Sequence, residues 1–242
     1  MSLDRIFAVS GRIIRQIIKD RRSVALIILA PVLVMTLVGF SLFDERSILN
    51  RITPALLGVF VLFFTFLLTG VSFLRERSQG TLERLKITPV SRADLLVGYL
   101  LGFLLFAMLE SVVILAYTVL VLPVTYQGEI WQVFVVLVLL TIVAVSLGIL
   151  VSTFAKNEFQ VVQFIPLVIV PQIFLTGVVV PVEGMPWLLE NISKVLPLTY
   201  AVDMLIGIML EGQGLLDFGV QIIVLSGFGA VFMIGASLTV KK

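Results

Sequence analysis

Charged residues punctuate this chain at wide intervals, and the stretches between them set its architecture. Residues 23–43, 52–74, 130–155, 159–182 and 218–240 each run without Asp, Glu, Lys or Arg, and residues 95–122 do so apart from Glu110. A helix rises about 1.5 Å per residue and a bilayer core is roughly 30 Å thick, so about 20 apolar residues cross it. The pattern predicts an all-α membrane protein with six transmembrane helices over those ranges. Residues 183–217 break the pattern, with charges at 183, 190, 194, 203, 211 and 217 and with Pro186 and Pro197 inside. The uncharged runs there are too short to span, and proline interrupts a helix. That region reads as short helices lying in, or dipping into, one interface between spans five and six.

The first 22 residues follow a different rule. At 100° per residue, Ile6, Phe7, Val9, Ile13, Ile14, Ile17 and Ile18 fall on one half of a helical wheel, and Arg5, Arg12, Arg15, Lys19 and Arg22 on the other. An apolar face with a basic back predicts a helix on the membrane surface; a plain basic anchor for the first span is compatible with the same residues. There is no apolar run followed by a cleavage site, so a signal peptide is not expected.

Composition agrees with the pattern. Sixty per cent of the 242 residues are apolar and 13% are charged, against about a quarter charged in soluble domains. The chain has no cysteine and no histidine, which excludes disulfides, thiolate or histidine metal sites and Ser-His-Asp catalysis. A net charge of +2 is too small to suggest nucleic acid. Its distribution orients the chain. With the N-terminus inside, inner segments hold 14 of the 17 Lys and Arg, and the outer ones hold Arg46, Arg51 and Lys194. That asymmetry follows the positive-inside rule and places both termini in the cytoplasm. One membrane domain accounts for residues 1–242, with no internal repeat.

The connection between spans two and three, residues 75–94, is long for an inter-helix link. Gly80 and Pro89 bracket residues 81–88, enough for about two helical turns. Leu82 and Leu85 share one side, and Glu83, Arg84 and Lys86 offer charges. Ser91 and Asp94 form a capping-box pattern opening the third span. A short rigid helix held between two spans can carry force from a cytosolic partner; a solvated charged loop is the plainer alternative.

Here the chain resembles a known family. Lys19-Asp20-Arg21-Arg22-Ser23 with Pro31, then Arg75-Glu76-Arg77-Ser78-Gln79-Gly80-Thr81-Leu82-Glu83-Arg84-Leu85 with Thr88-Pro89, then Pro181, Met185-Pro186-Trp187 and Leu196-Pro197-Leu198-Thr199-Tyr200-Ala201-Val202-Asp203 are similar in order and spacing to the permease subunits of ABC-2 (type V fold) exporters, which include antibiotic-resistance permeases. Ile206 departs from the arginine that many relatives carry. The resemblance implies six spans, an N-terminal interfacial helix, a cytoplasmic coupling helix and external re-entrant helices. It also implies a separate ATP-binding cassette subunit and a second permease, identical or homologous, in a prokaryotic plasma membrane. Thr81, Leu82, Glu83, Arg84, Leu85 and Lys86 would contact the ATPase. No cofactor is expected on this chain; ATP and Mg would sit on the partner, consistent with the lack of a Gly-Lys dipeptide and hence of a phosphate-binding loop.

Four polar residues inside the spans are candidates for a substrate path: Glu110 in the third span, and Gln163, Gln172 and Thr176 in the fifth, which Pro166 and Pro171 interrupt. Intramembrane carboxylates are costly and broken polar helices tend to line cavities; a buried structural carboxyl and helix–helix hydrogen bonding are the competing readings. Gly98 and Gly102 stand at a spacing suited to packing. Two other functions compete with that of a permease. An ATP-independent membrane scaffold or assembly factor shares the composition, and co-purification with an ATPase separates it from a permease. A membrane-embedded enzyme needs clustered acid–base groups, which one intramembrane carboxylate does not supply.

Overall fold

In a computed structural model, residues 2–81, 90–177 and 182–239 are described. They are helical, with short turns between. The helices are α1 (Leu3–Lys19), α2 (Arg21–Ser41), α3 (Arg46–Ser78), α4 (Arg92–Val121), α5 (Ile130–Ser152), α6 (Glu158–Leu175), α7 (Trp187–Ser193), α8 (Pro197–Glu211) and α9 (Gly219–Thr239). Six are long and apolar enough to cross a bilayer: α2, α3, α4, α5, α6 and the helix ending at Thr239. All six are apolar around most of their circumference, the signature of helices solvated by lipid.

α3 and α5 form the centre, with Phe66, Leu62, Val136, Leu140 and Val143 among their buried side chains. Glycine lets them approach closely: a Cβ on Gly148 of α5 would lie 3.0 Å from the Thr69 Cβ and 3.1 Å from the Phe66 carbonyl on α3. α2, α6 and α9 lie outside this pair and present apolar side chains outward, among them Leu26, Phe40, Leu167 and Leu238.

Several boundaries differ from expectation. α3 is 33 residues long, roughly 50 Å, and carries the second span out past Arg51 at one end and past Arg75 at the other. The fifth span stops at Leu175, earlier than residue 182, because Thr176 and Gly177 turn the chain; Gly177 has φ +85°, a conformation open to glycine. Residues 183–217 hold α7 and α8, bent by 81° at a short break around Val195, so the expected short helices are present. The capping box at α4 is also present, Ser91 and Asp94 each donating a backbone N–H to the other's side chain at 3.1 Å.

α1 is amphipathic as its sequence requires, but its apolar face is largely spent on protein. Ile6, Val9, Ile13 and Ile17 are buried, the last three in one cluster with Leu95, Leu96, Tyr99 and Phe103 of α4. Gly98 and Gly102 make this possible: a Cβ on either would stand 2.7 or 2.8 Å from the Cβ of Val9 or Ile13. Phe7 and Ile18 remain exposed. The C-terminal part of α9 joins the same cluster through Ala236 and Met233, so α1 marks the end of the bundle where the chain also finishes its last described helix.

Candidate functional site

α3 ends in Arg75, Glu76 and Arg77, just before the 79–91 segment. Consecutive helical residues point about 100° apart, so three in a row reach three different neighbours. Each of these does so through charge-assisted bonds, the stronger kind.

Arg75 forks onto Glu158 at the start of α6, with Nε donating to Oε1 at 2.7 Å and Nη2 to Oε2 at 3.1 Å. Its Nη1 reaches Asp20, at the corner between α1 and α2, at 3.3 Å. Arg77 turns the other way and donates to the carbonyls of Thr153, at 2.7 Å, and Ala155. Those oxygens belong to the end of α5 and the turn after it, where helical carbonyls lack partners and attract cations.

Glu76 is the buried member. Its side chain is 3% exposed, and Arg12 of α1 grips both oxygens, Nη1 to Oε1 at 3.2 Å and Nη2 to Oε2 at 2.8 Å. Tyr99 of α4 donates its hydroxyl to the same Oε2 at 3.0 Å and accepts from Arg12 Nη2 at 2.9 Å. The Tyr99 ring stacks edge-on against Phe73 with centroids 5.1 Å apart, which fixes the hydroxyl. Burial pulls the Arg12 guanidinium down, but its hydrogen bond to the Glu76 carboxylate and the electrostatic pull of Tyr99 and Glu76 outweigh it and raise the group above its ordinary value. A second tie joins α1 to α4: the Ser2 backbone N–H donates to Asp94 at 3.0 Å, with Arg5 4.0 Å from the same carboxylate.

The root of the 79–91 segment is therefore bonded to five elements: α1, the α1–α2 corner, α4, the end of α5 and the start of α6. Gly80, at φ +69°, turns the chain out of α3 directly after it. Thr81 continues from there, while Leu82, Glu83, Arg84, Leu85 and Lys86 lie outside the described residues. What the arrangement can do is mechanical. A push on the segment would act first on the end of α3, which fork-like arginine bonds of fixed geometry join to the other helices.

The intramembrane candidates lie apart from this root. Glu110 is fully buried; Thr65 of α3 donates to its Oε2 at 3.4 Å, and its Oε1 has no partner. The Thr69 and Thr141 hydroxyls, on α3 and α5, are also buried without partners. Gln172 is 2% exposed and caps α8, accepting from the Leu198 N–H at 3.2 Å while donating to the Val168 carbonyl at 3.0 Å. Thr176 is buried and bonded to the Ile173 carbonyl at 3.0 Å. Gln163 alone of the four faces outward. Gln172 and Thr176 thus stand one turn apart at the end of α6, while Glu110 and Gln163 lie elsewhere, and the four do not form one cluster.

Sequence reasoning pointed at residues 81–86 and passed over their anchors. Tyr99, Asp20, Arg12 and Glu158 lie between 23 and 83 positions from the α3 residues they bind. The available signal was an uninterrupted Arg-Glu-Arg at a span's end; Arg12 looks like any other member of the basic half of α1.

Residues 4–210 match the model of the ABC-2 type transporter family. This chain belongs to that family. Among ABC-2 relatives, it is 26% identical over 164 residues to the probable multidrug ABC transporter permease YbhR of Escherichia coli strain K12, covering 68% of this chain and 45% of the relative. It is 29% identical over 198 residues to the inner membrane transport permease YhhJ of the same strain, covering 81% of this chain and 50% of that protein. It is 29% identical over 181 residues to nodulation protein J of Rhizobium meliloti strain 1021, covering 74% of this chain and 68% of that one. The chain spans about half the length or less of the first curated relatives it matches.

Proposed function

We propose that this ABC-2 chain is the membrane-spanning permease subunit of an ATP-driven exporter, coupled to a separate ATP-binding cassette subunit in the plasma membrane. The carrying observation is the root at Arg75, Glu76 and Arg77, which ties one cytoplasmic segment to five structural elements. Binding of ATP and Mg on the partner would close its two cassettes, displace residues 81–86 and shift the spans. The names of YbhR and YhhJ, both permeases, support this reading, as does the concentration of Lys and Arg at the α1 end. In this orientation the termini and residues 75–94 are cytoplasmic, and α7 and α8 lie at the external face.

A second permease, identical or homologous, belongs to the same proposal. Gln163 faces outward on α6, along a stripe with Pro166 and Val170. Pro166 and Pro171 lack the N–H that would bond the carbonyls four residues earlier. Lipid satisfies neither an amide side chain nor a free carbonyl, so such a face is covered by protein or wetted by a cavity.

The test uses the purified permease–ATPase pair in lipid vesicles. Leu82→Ala with Leu85→Ala, and separately Glu83→Ala, is expected to abolish the stimulation of ATP hydrolysis by the permease while leaving permease insertion unchanged. An ATPase that neither co-purifies with the wild-type chain in detergent nor responds to it would favour an ATP-independent scaffold.

A further inference from the structure

The end of the bundle opposite α1 holds two adjoining cavities of about 560 and 420 Å³. They share Arg51, Gly177 and Ile206. Arg51 projects from the first turns of α3 and makes no hydrogen bond or ion pair among the described residues. The smaller cavity also contains Asp203, whose carboxylate accepts from the Gln221 amide at 2.9 Å and, among the described residues, from no cation. A third unspent group lines it: the Thr199 hydroxyl is buried without a partner. The other charge there, Lys194, is already held by Glu190 at 2.8 Å.

A guanidinium and a carboxylate thus line one cavity without bonding each other. Both residues are exposed, so an incoming charge meets them without first displacing a protein partner. The signs restrict the ligand. A purely anionic molecule at Arg51 meets Asp203 in the smaller cavity and Glu211 in the larger. A purely cationic one at Asp203 meets Arg51. A molecule carrying both charges satisfies both. Val182, Ile206 and Val220 supply apolar wall.

We propose that this vestibule binds a zwitterionic amphiphile, its carboxylate or phosphate forked on Arg51, its ammonium on Asp203 and its apolar part against Val182, Ile206 and Val220. Arginine suits the first contact because its planar fork matches both anions. The Thr199 hydroxyl adds a hydrogen bond to the same headgroup. The permease reading contributes only the direction, which makes this the external mouth; binding itself does not depend on that reading.

The experiment measures equilibrium binding to the full chain in a non-ionic detergent by microscale thermophoresis. Three probes of matched chain length isolate the charges: lysophosphatidylethanolamine, lysophosphatidic acid and an alkylammonium. The wild type is expected to bind the zwitterion on the order of tenfold more tightly than either probe bearing a single sign of charge. Arg51→Gln should remove its advantage over the alkylammonium, and Asp203→Asn its advantage over the acid. Glu129→Gln, outside both cavities, should change nothing. Equal affinity for the three probes overturns the proposal, and so does unchanged zwitterion binding in both variants. ATPase stimulation plays no part in this measurement, so the vestibule and the permease assignment stand or fall separately.

Discussion

Replacing Arg12 with alanine should free α1 from the bundle. The Glu76 carboxylate is 3% exposed and takes three bonds, two from Arg12 and one from Tyr99. Removing one partner of a fully buried pair costs roughly 3–5 kcal/mol, because the other charge stays buried and uncompensated. The Arg12 side chain is 31% exposed, so water reaches the gap and the expected cost falls to about 2–3 kcal/mol. Read as local opening of Leu3–Lys19, that is a rise of roughly 30- to 150-fold in the open population. Hydrogen exchange of α1 amides in detergent measures it directly. Arg12→Lys keeps the charge but loses the fork and should fall between wild type and alanine. Glu76→Gln removes the charge from the other side, so the two losses should overlap. The Arg12→Ala, Glu76→Gln double variant should be less destabilised than the sum of the singles by about 2 kcal/mol. Additive effects, or unchanged α1 exchange in Arg12→Ala, would show that the apolar contact with α4 alone holds α1 and that the ion pair is incidental.

Other expectations concern separate parts of the fold. Gly98→Val should displace α1, since a Cβ there already stands 2.7 Å from the Val9 Cβ, and α1 exchange should rise while the spans stay protected. Gln172→Leu leaves the Leu198 N–H buried without an acceptor, a loss of roughly 1–3 kcal/mol that should appear as faster proteolysis within residues 187–211. Glu110→Gln should insert and stimulate hydrolysis as the wild type does, because Oε1 has no partner to lose and Oε2 takes one bond of 3.4 Å; a clear fall would bring its ionisation into the mechanism. Because the chain has no cysteine, single cysteines at Ser2, Ser78 and Gln213 report topology cleanly. An impermeant thiol reagent on intact cells should label the third and spare the first two, and reaction at Ser78 would reverse the orientation.

The spans were readable in the sequence because lipid imposes one condition on every one of them, length without charge. Helix ends were less readable. The fifth span stops at Leu175 through the turn at Gly177, although the apolar run continues past it, so hydropathy alone overestimated its length. The face of α1 shows a different limit. Ile6, Val9, Ile13 and Ile17 look the same whether they meet lipid or protein, and only the matching glycines of α4 decide it. Gly98 and Gly102 carry the spacing of packing residues in the sequence, but nothing there shows that their partners are Val9 and Ile13 of α1. Glu110 illustrates the reverse case: a polar residue conspicuous in sequence whose surroundings, Thr65 and an unpartnered oxygen, identify no route for a ligand.

The charges at the two ends of the bundle are spent differently, and the difference fits the roles proposed for them. At the root of the 79–91 segment, Arg75, Glu76 and Arg77 are committed to five elements. Surface ion pairs are individually worth little, so the value of this set lies in geometry: forks and a buried carboxylate fix directions that a single apolar contact would leave free to slide. A stiff joint is what the proposed coupling to an ATPase would require. At the opposite end, Arg51 and Asp203 line a common cavity and remain unjoined. A side chain already paired within the fold must break that pair before it can hold a ligand, which subtracts from affinity. Leaving a cation and an anion open preserves their full interaction for a molecule that arrives and leaves. The same residue types thus make a linkage at one end and a receptor at the other, according to whether the fold has already supplied their partners.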